Sequence, residues 1–130
     1  MANYLRSKGY EVIEVGALKE RRACPWPDVG FEVGEMVARG DAVFGVVICY
    51  TGTGVSIAAN KVKGIRAALC FDAGTARGAR LWNDANVLAL SARLTSEEIA
   101  KEILEAWLSV PQPEASELDN IRRLKEYEEG

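Results

Sequence analysis

The sequence predicts an α/β fold in three layers, with helices covering both faces of a parallel sheet. Apolar runs alternate along the chain with segments of helical pattern, and a strand–helix–strand order of this kind forces parallel pairing. Most of these runs are rich in β-branched residues without polar alternation, which is typical of parallel strands buried on both faces. The chain has 130 residues, of which 48% are hydrophobic, and this suits one domain over residues 1–130.

Four strands are predicted from the apolar runs. Three of them, at Val43–Cys49, Ile65–Phe71 and Val87–Leu90, are almost continuously apolar and are expected to be buried. The fourth, Tyr10–Val15, alternates apolar and charged residues. We therefore expect it to be partly exposed or near an edge of the sheet.

Helices are predicted from apolar spacing and from capping residues. Asp72 is expected to cap one helix, and Thr95-Ser96-Glu97-Glu98 fits a capping box for the next. Arg77 and Arg80 share a helical face, where solvated charge is the ordinary explanation. Gly16–Pro27 contains two prolines and is predicted to be a loop. The expected helical segments are Asn3–Lys8, Asp28–Ala38, Ser56–Val62, Ala73–Trp82, a segment with Ile99, Ile103 and Trp107 on one face, and Glu117–Glu129.

Composition argues against several classes of partner. A net charge of −3 with interspersed signs gives no basic stripe, so we expect no nucleic-acid partner. The sequence shows no long apolar stretch and no signal peptide, so we expect no membrane partner and a cytoplasmic location. The three cysteines are too few and too irregular for a disulfide framework or a zinc site, and histidine is absent. We therefore expect neither a metal nor a cofactor.

Chemistry is expected in Val43–Asn60, where an apolar strand runs into a glycine-rich turn and then a helix. Cys49 falls at the carboxyl end of the strand, and Gly52-Thr53-Gly54 falls at the helix start. Ligands of open α/β sheets bind at such positions, and the free N–H groups of a first helical turn favour an anion. The same field lowers the pKa of a cysteine. Cys49 is therefore a candidate base beside an oxyanion site.

A purely structural interpretation accounts for this stretch equally well. Cysteine is common in buried strands as a small hydrophobe, and glycine-rich turns occur in many α/β proteins without chemistry. The spacing is not that of a P-loop, because no Gly-Lys-Ser/Thr follows. Nor is it the dinucleotide fingerprint, because Gly52 and Gly54 lack a third glycine three residues later.

A wider set of residues resembles one enzyme family. The run Cys49–Lys61 (CYTGTGVSIAANK), with Gly64–Cys70 (GIRAALC) and Asn83–Leu88 (NDANVL), is similar to the ribose-5-phosphate isomerase B and galactose-6-phosphate isomerase family. The resemblance implies a Rossmann-like dimer or tetramer that interconverts aldose and ketose phosphates without a metal. By the same resemblance, the sheet is expected to lack the family's first strand and its Asp-His loop.

The resemblance also implies roles for individual residues. Cys49 matches the base that moves a proton between C1 and C2, and Thr51 with the N–H groups around Gly52 and Gly54 matches the cradle of the enediolate. The other expected substrate-binding residues are Thr53, Ser56, Asn83, which matches an amide supplied across the dimer interface, and Arg93 and Arg122, which match phosphate-binding arginines.

The chain departs from the family pattern at several positions. Trp82 stands where the ring-opening histidine is expected, and Tyr50 replaces a glycine of the turn; both remain candidate substrate contacts. Leu118 with Asp119 falls where an arginine–histidine pair often sits. A tryptophan cannot exchange a proton with a sugar ring oxygen, so an enzyme here needs an open-chain substrate or another acid. Trp26, in a motif similar to the family's Tyr-Pro-Asp, is expected to pack under its loop in preference to contacting a ligand.

Three functions follow from these residues. The first is a metal-independent aldose–ketose isomerase of a phosphorylated, ribose-5-phosphate-like sugar, acting through a cis-enediolate. The alternatives are a non-catalytic sugar-phosphate-binding or regulatory paralogue, and a structural subunit of a hetero-oligomeric isomerase. The apolar seam of Leu118, Ile121 and Leu124 within residues 115–129 suits a partner subunit. We therefore expect a homodimer or homotetramer with shared active sites.

Overall fold

The computed structural model describes residues 1–130 and contains three β-strands and seven α-helices. The strands are β1 (Gly45–Cys49), β2 (Ala67–Leu69) and β3 (Val87–Ser91). The helices are α1 (Ala2–Ser7), α2 (Ala17–Glu20), α3 (Trp26–Ala38), α4 (Thr53–Asn60), α5 (Ala73–Asn83), α6 (Glu97–Leu108) and α7 (Leu118–Glu129), the last preceded by a 3₁₀ turn at Ala115–Glu117. None of these helices has the length and apolar character needed to cross a membrane.

The sheet has the strand order β1-β3-β2, and both outer strands run parallel to β3. The predicted α/β class and the parallel pairing are confirmed. Every residue of the central strand β3 is buried. Its side chains alternate between two hydrophobic clusters, with Val87 and Ala89 in one and Leu88 and Leu90 in the other.

Helices cover both faces of the sheet, which confirms the three layers. On one face, α3 and α4 pack through Val33, Val55 and Ala59. On the other face, α5 and α6 pack through Ala79 and Trp107. Apolar side chains on both faces stabilise the parallel sheet and bury its central strand completely. The outer strands are less buried than predicted, since Ile48 of β1 is 44% exposed and the three residues of β2 are half-buried.

The predicted strand Tyr10–Val15 does not form. The segment is irregular, and the residues from Glu11 to Val15 make no backbone-to-backbone hydrogen bond. A strand needs a neighbour to satisfy its N–H and C=O groups, and β1 and β2 each pair only with β3. The prediction was wrong because alternation indicates which side chains favour burial, but not whether a partner strand is present.

A side chain covers the edge of the sheet that is formed by β2. The Asn60 amide accepts a hydrogen bond from the Ala67 N–H at 2.7 Å and donates one to the Ala67 carbonyl at 3.1 Å. It takes the place of a neighbouring strand at the outer edge of β2. The strand is accordingly limited to Ala67–Leu69, within the predicted Ile65–Phe71.

A predicted loop was also inexact. The predicted loop Gly16–Pro27 contains the single-turn helix α2.

The two predicted helix caps have different outcomes. Asp72 caps α5 as expected, accepting the Thr75 N–H at 2.7 Å. In α6 the cap is Ser96, which accepts the Ile99 N–H at 3.2 Å, so the helix begins one residue later than a capping box at Thr95 implies.

Arg80 is buried, contrary to its predicted solvated position. Only 3% of the residue is exposed, and its guanidinium donates to the carbonyls of Ala85, Val110 and Pro111. It also lies 4.7 Å from the centroid of the Phe44 ring. The segment after α6 folds back over α5 and supplies these acceptors, which helical spacing on α5 alone does not reveal.

Candidate functional site

The candidate site is the segment Cys49–Gly54, referred to below as the Cys49 turn. β1 ends at Cys49, and α4 begins at Thr53 with Gly52 as its N-cap. Gly52 has a φ of 83°, and a Cβ there would lie 2.5 Å from Leu69 Cδ1 and 2.9 Å from the Leu90 backbone. Glycine is required at this position, because a side chain would be both strained and excluded by its neighbours.

The turn places backbone N–H groups around the Cys49 thiol. The Gly52 N–H donates to Cys49 Sγ at 3.2 Å. Burial is the largest single influence on the thiol and opposes its ionisation. The N–H groups of Val55, Gly52, Thr51 and Gly54 together outweigh burial, so the pKa of Cys49 is lowered. The geometry therefore favours a thiolate that remains partly open to solvent.

The other two cysteines lie in different environments. Cys70 is fully buried, and burial with the nearby Asp72 carboxylate raises its pKa to about 11. Cys24 lies before α3, where its Sγ is 3.6 Å from the Arg22 carbonyl oxygen. Of the three thiols, Cys49 is the one held by a helix N-terminus.

Two threonine hydroxyl groups lie in the turn that follows the thiol. Thr51 Oγ1 and Thr53 Oγ1 are 2.8 Å apart and share a hydrogen bond, and the Thr53 N–H donates to Thr51 Oγ1 at 3.4 Å. Both residues are exposed, so their hydroxyls can turn towards a ligand. Ser56 is buried one turn into α4. The exposed polar surface of the turn is therefore formed mainly by the two threonines.

The end of β3 holds the turn and brings an arginine to it. The N–H groups of Ala92 and Arg93 donate to the carbonyls of Cys49 and Tyr50 at 2.9 and 3.0 Å. The buried Ser91 hydroxyl also donates to the Tyr50 carbonyl at 3.0 Å. The Arg93 guanidinium lies 5.9 Å from the centroid of the Tyr50 ring and forms no ion pair. An exposed and unpaired cation thus stands beside the Cys49 turn.

Trp26 packs against the Cys49 turn, in agreement with its predicted packing role. A Cβ at Gly54 would lie 2.9 Å from Trp26 Cε3, so the indole fills the side-chain space of Gly54. The residue is 51% exposed. Its position at the start of α3 is visible in the Pro25-Trp26-Pro27 motif, but its contact with α4 depends on how the two helices pack.

The model of the Ribose/Galactose Isomerase family matches residues 1–126. The chain belongs to this family.

Individual relatives support the same assignment. Galactose-6-phosphate isomerase subunit LacB of Clostridium acetobutylicum is 41% identical over 121 residues, which span 93% of this chain and 69% of the relative. D-erythrulose-4-phosphate isomerase of Pectobacterium atrosepticum is 36% identical over 128 residues, or 98% of this chain and 84% of the relative. The structure of Clostridium thermocellum ribose-5-phosphate isomerase B matches with a TM-score of 0.92 and 41% identity, covering 98% of this chain and 86% of that one.

Three residues singled out by resemblance to the family make no hydrogen bond with the Cys49 turn within one chain. Asn83 lines a groove of about 480 Å³ between the β2 edge and α7. Trp82 is 52% exposed, and its ring packs on Gly78 of the same helix. Arg122 lies on α7 and is paired with Asp119 and Glu126. Within one chain, the hydrogen-bond network therefore does not connect these residues to the Cys49 turn.

Proposed function

We propose that this chain is a metal-independent aldose–ketose isomerase of a phosphorylated sugar, with the Cys49 thiolate as its base. The environment of Cys49 Sγ carries the proposal. This partly exposed thiol lies 3.2 Å from the Gly52 N–H, and the surrounding N–H groups lower its pKa. Membership of the Ribose/Galactose Isomerase family supports a sugar phosphate as the substrate.

The proposed reaction is a proton transfer within the substrate. The thiolate takes the proton from C2 of an open-chain aldose, the C2–H electron pair forms the C1=C2 bond, and the negative charge moves to O1. The hydroxyl proton then passes from O2 to O1, and the thiol returns its proton to C1, which leaves a ketose. The Thr51 hydroxyl and the N–H groups around Gly52 and Gly54 would stabilise the charged oxygen, with Thr53 supporting Thr51.

Arg93 is the proposed phosphate-binding group of the same chain. Its guanidinium is exposed and unpaired, and an arginine fork makes two parallel charge-assisted bonds to phosphate. Tyr50 lies against it and would orient it. Arg93 and Tyr50 follow adjacent strands, so both can contact a ligand bound at the Cys49 turn.

The proposed assembly is a homodimer or homotetramer of single-domain subunits. Leu118 and Leu124 on α7 are 49% and 53% exposed, whereas Ile121 on the same seam is buried within the chain. A partner that covers the exposed part of this seam would bury apolar surface. Asn83 and Arg122 would then be available to a shared site, as the family resemblance implies.

A non-catalytic sugar-phosphate-binding protein is the second candidate. Histidine is absent from the chain, and the hydrogen bonds of the Cys49 turn involve no carboxylate or lysine. The N–H cradle and Arg93 could bind a phosphorylated sugar without turnover. A structural subunit is the third candidate, supported by the relative named as subunit LacB.

Deuterium exchange at C2 tests the proposal. The protein is incubated in D₂O with pentose and tetrose phosphates, and incorporation is followed by NMR. We expect exchange with the parent protein and its loss in Cys49→Ser, because a serine hydroxyl without an adjacent base is a far weaker proton acceptor. Cys24→Ser is the matched control and should exchange as the parent does. Equal exchange in Cys49→Ser would contradict the assigned base.

A further inference from the structure

Ring-forming sugar phosphates pose a chemical problem for this chain. Opening a cyclic sugar requires removal of a proton from the anomeric hydroxyl and delivery of a proton to the ring oxygen. Histidine is the side chain best suited to both transfers near neutral pH. None of residues 1–130 is a histidine, and Trp82 stands at the position where the family resemblance implies the ring-opening histidine.

Apart from the Tyr50 hydroxyl, no group at the Cys49 turn can replace an imidazole as the acid. Thr51 and Thr53 are alcohols hydrogen-bonded to each other, and Arg93 carries a guanidinium that stays protonated. The lowered pKa of Cys49 arises from backbone N–H groups and not from a charged side chain, so no charged acid or base lies beside the thiol. Trp82 offers only an indole N–H, which donates but cannot accept a proton. The Tyr50 hydroxyl is the one remaining candidate acid at the turn.

We infer that the substrate of this chain is a sugar phosphate that cannot close into a ring, and specifically a four-carbon aldose or ketose 4-phosphate. The inference rests on the proposed isomerase function. A pentose 5-phosphate closes when its 4-hydroxyl attacks the carbonyl carbon. In a four-carbon 4-phosphate that oxygen carries the phosphate, and the 3-hydroxyl could form only a strained four-membered ring. Such a substrate stays open and needs no ring-opening acid.

The aromatic residues at the turn favour the shorter carbon chain as well. The Trp26 ring fills the space beside Gly54, and Tyr50 brings a second ring to the other end of the turn, against Arg93. Both rings are large and at least half exposed, at 51% and 71%. These rings reduce the space beside the turn, which favours a shorter carbon chain.

Three substrates separate ring opening from chain length. Erythrose 4-phosphate is short and cannot cyclise, 4-deoxyribose 5-phosphate is longer but cannot cyclise, and ribose 5-phosphate is mostly cyclic. Initial isomerisation rates are measured over a range of enzyme concentrations, with ketose formation followed by NMR. Cys49→Ser is assayed in parallel with each substrate.

We expect the rate with erythrose 4-phosphate to rise in proportion to enzyme. With ribose 5-phosphate we expect the rate to level off at that of spontaneous ring opening. We also expect kcat/KM for ribose 5-phosphate to be at least about 100-fold lower than for erythrose 4-phosphate, since acid–base catalysis of the ring step is missing. The 4-deoxyribose 5-phosphate rate should also rise in proportion to enzyme, with kcat/KM below that of erythrose 4-phosphate.

Each other outcome has a defined meaning. A ribose 5-phosphate rate proportional to enzyme, with kcat/KM similar to that of erythrose 4-phosphate, would overturn the inference and leave the isomerase function standing. Loss of that rate in Tyr50→Phe would then identify the ring-opening acid. Faster turnover of 4-deoxyribose 5-phosphate than of erythrose 4-phosphate would overturn the four-carbon assignment. No turnover of any substrate would overturn the proposed function, and the inference with it.

Discussion

At the scale of single residues, the reactivity of Cys49 depends on backbone atoms. A cysteine base is usually activated by a charged neighbour such as histidine, but here four backbone N–H groups offset the burial that opposes ionisation. Because these donors belong to the turn and the first residues of α4, the local fold itself supplies the activation.

We predict that iodoacetamide modifies Cys49 faster than Cys24 or Cys70. A lowered pKa keeps Cys49 ionised to a lower pH than a free cysteine, so its alkylation rate should reach half-maximum at a lower pH than that of a free cysteine peptide measured alongside. Cys70, whose pKa is raised to about 11, should react last. Rates for each cysteine are measured by peptide mass spectrometry across pH. A Cys49 midpoint at or above that of a free thiol would contradict this account.

Arg93 provides a second prediction at the residue scale. Arg93→Ala should raise KM for a sugar phosphate by roughly 10- to 100-fold, since a hydrogen bond to a charged group contributes about 1.5–3 kcal/mol. Steady-state kinetics provide the measurement, or phosphate protection of Cys49 from alkylation if turnover is slow. Arg39→Ala is the matched control, because Arg39 is exposed and paired with Glu35 and Asp41. An unchanged KM in Arg93→Ala would contradict the proposal that Arg93 binds the phosphate.

At the scale of elements, the ends of β1 and β3 act together. Backbone bonds from Ala92 and Arg93 fix the residues at the end of β1, so the Cys49 turn is held by a neighbouring strand as well as by its own helix. At the opposite edge, Asn60 at the end of α4 closes β2. The helix that begins at the site therefore also ends at a structural contact with the sheet.

We predict that Asn60→Ala lowers the free energy of unfolding by about 1–3 kcal/mol, because the N–H and C=O of Ala67 lose both partners. Asn60→Asp retains the acceptor alone and should cost less. Urea denaturation at constant pH gives the values, with Lys63→Ala as the control for a nearby exposed side chain. If Asn60→Ala and Lys63→Ala unfold at the same urea concentration, the edge contact contributes nothing.

At the scale of the whole molecule, the exposed seam on α7 predicts self-association. Sedimentation at micromolar concentration should show a dimer or tetramer, and Leu124→Glu should shift it towards the monomer by placing a charge in an apolar interface. Lys125→Glu, one position along the same helix, controls for added negative charge. A parent protein that sediments as a monomer would contradict the proposed shared site.

Much of the architecture was predictable because burial leaves a local pattern. The continuous apolar runs predicted β1, β2 and β3, and Asp72 predicted the start of α5. The glycine-rich stretch after Cys49 likewise indicated a helix N-terminus, since only certain residues tolerate that backbone. Its family signature also identified the candidate base before any geometry was known.

Local patterns were enough to predict the α/β class, strands β1, β2 and β3 and the Cys49 turn, because each depends on periodicity or backbone preference within a few residues. They did not show that Tyr10–Val15 has no partner strand or that Arg80 is buried under Val110 and Pro111. Nor did they show that Trp26 packs on Gly54. These features depend on hydrogen bonds and close packing between residues that are distant in the chain, and a local sequence pattern does not show which distant residues come into contact.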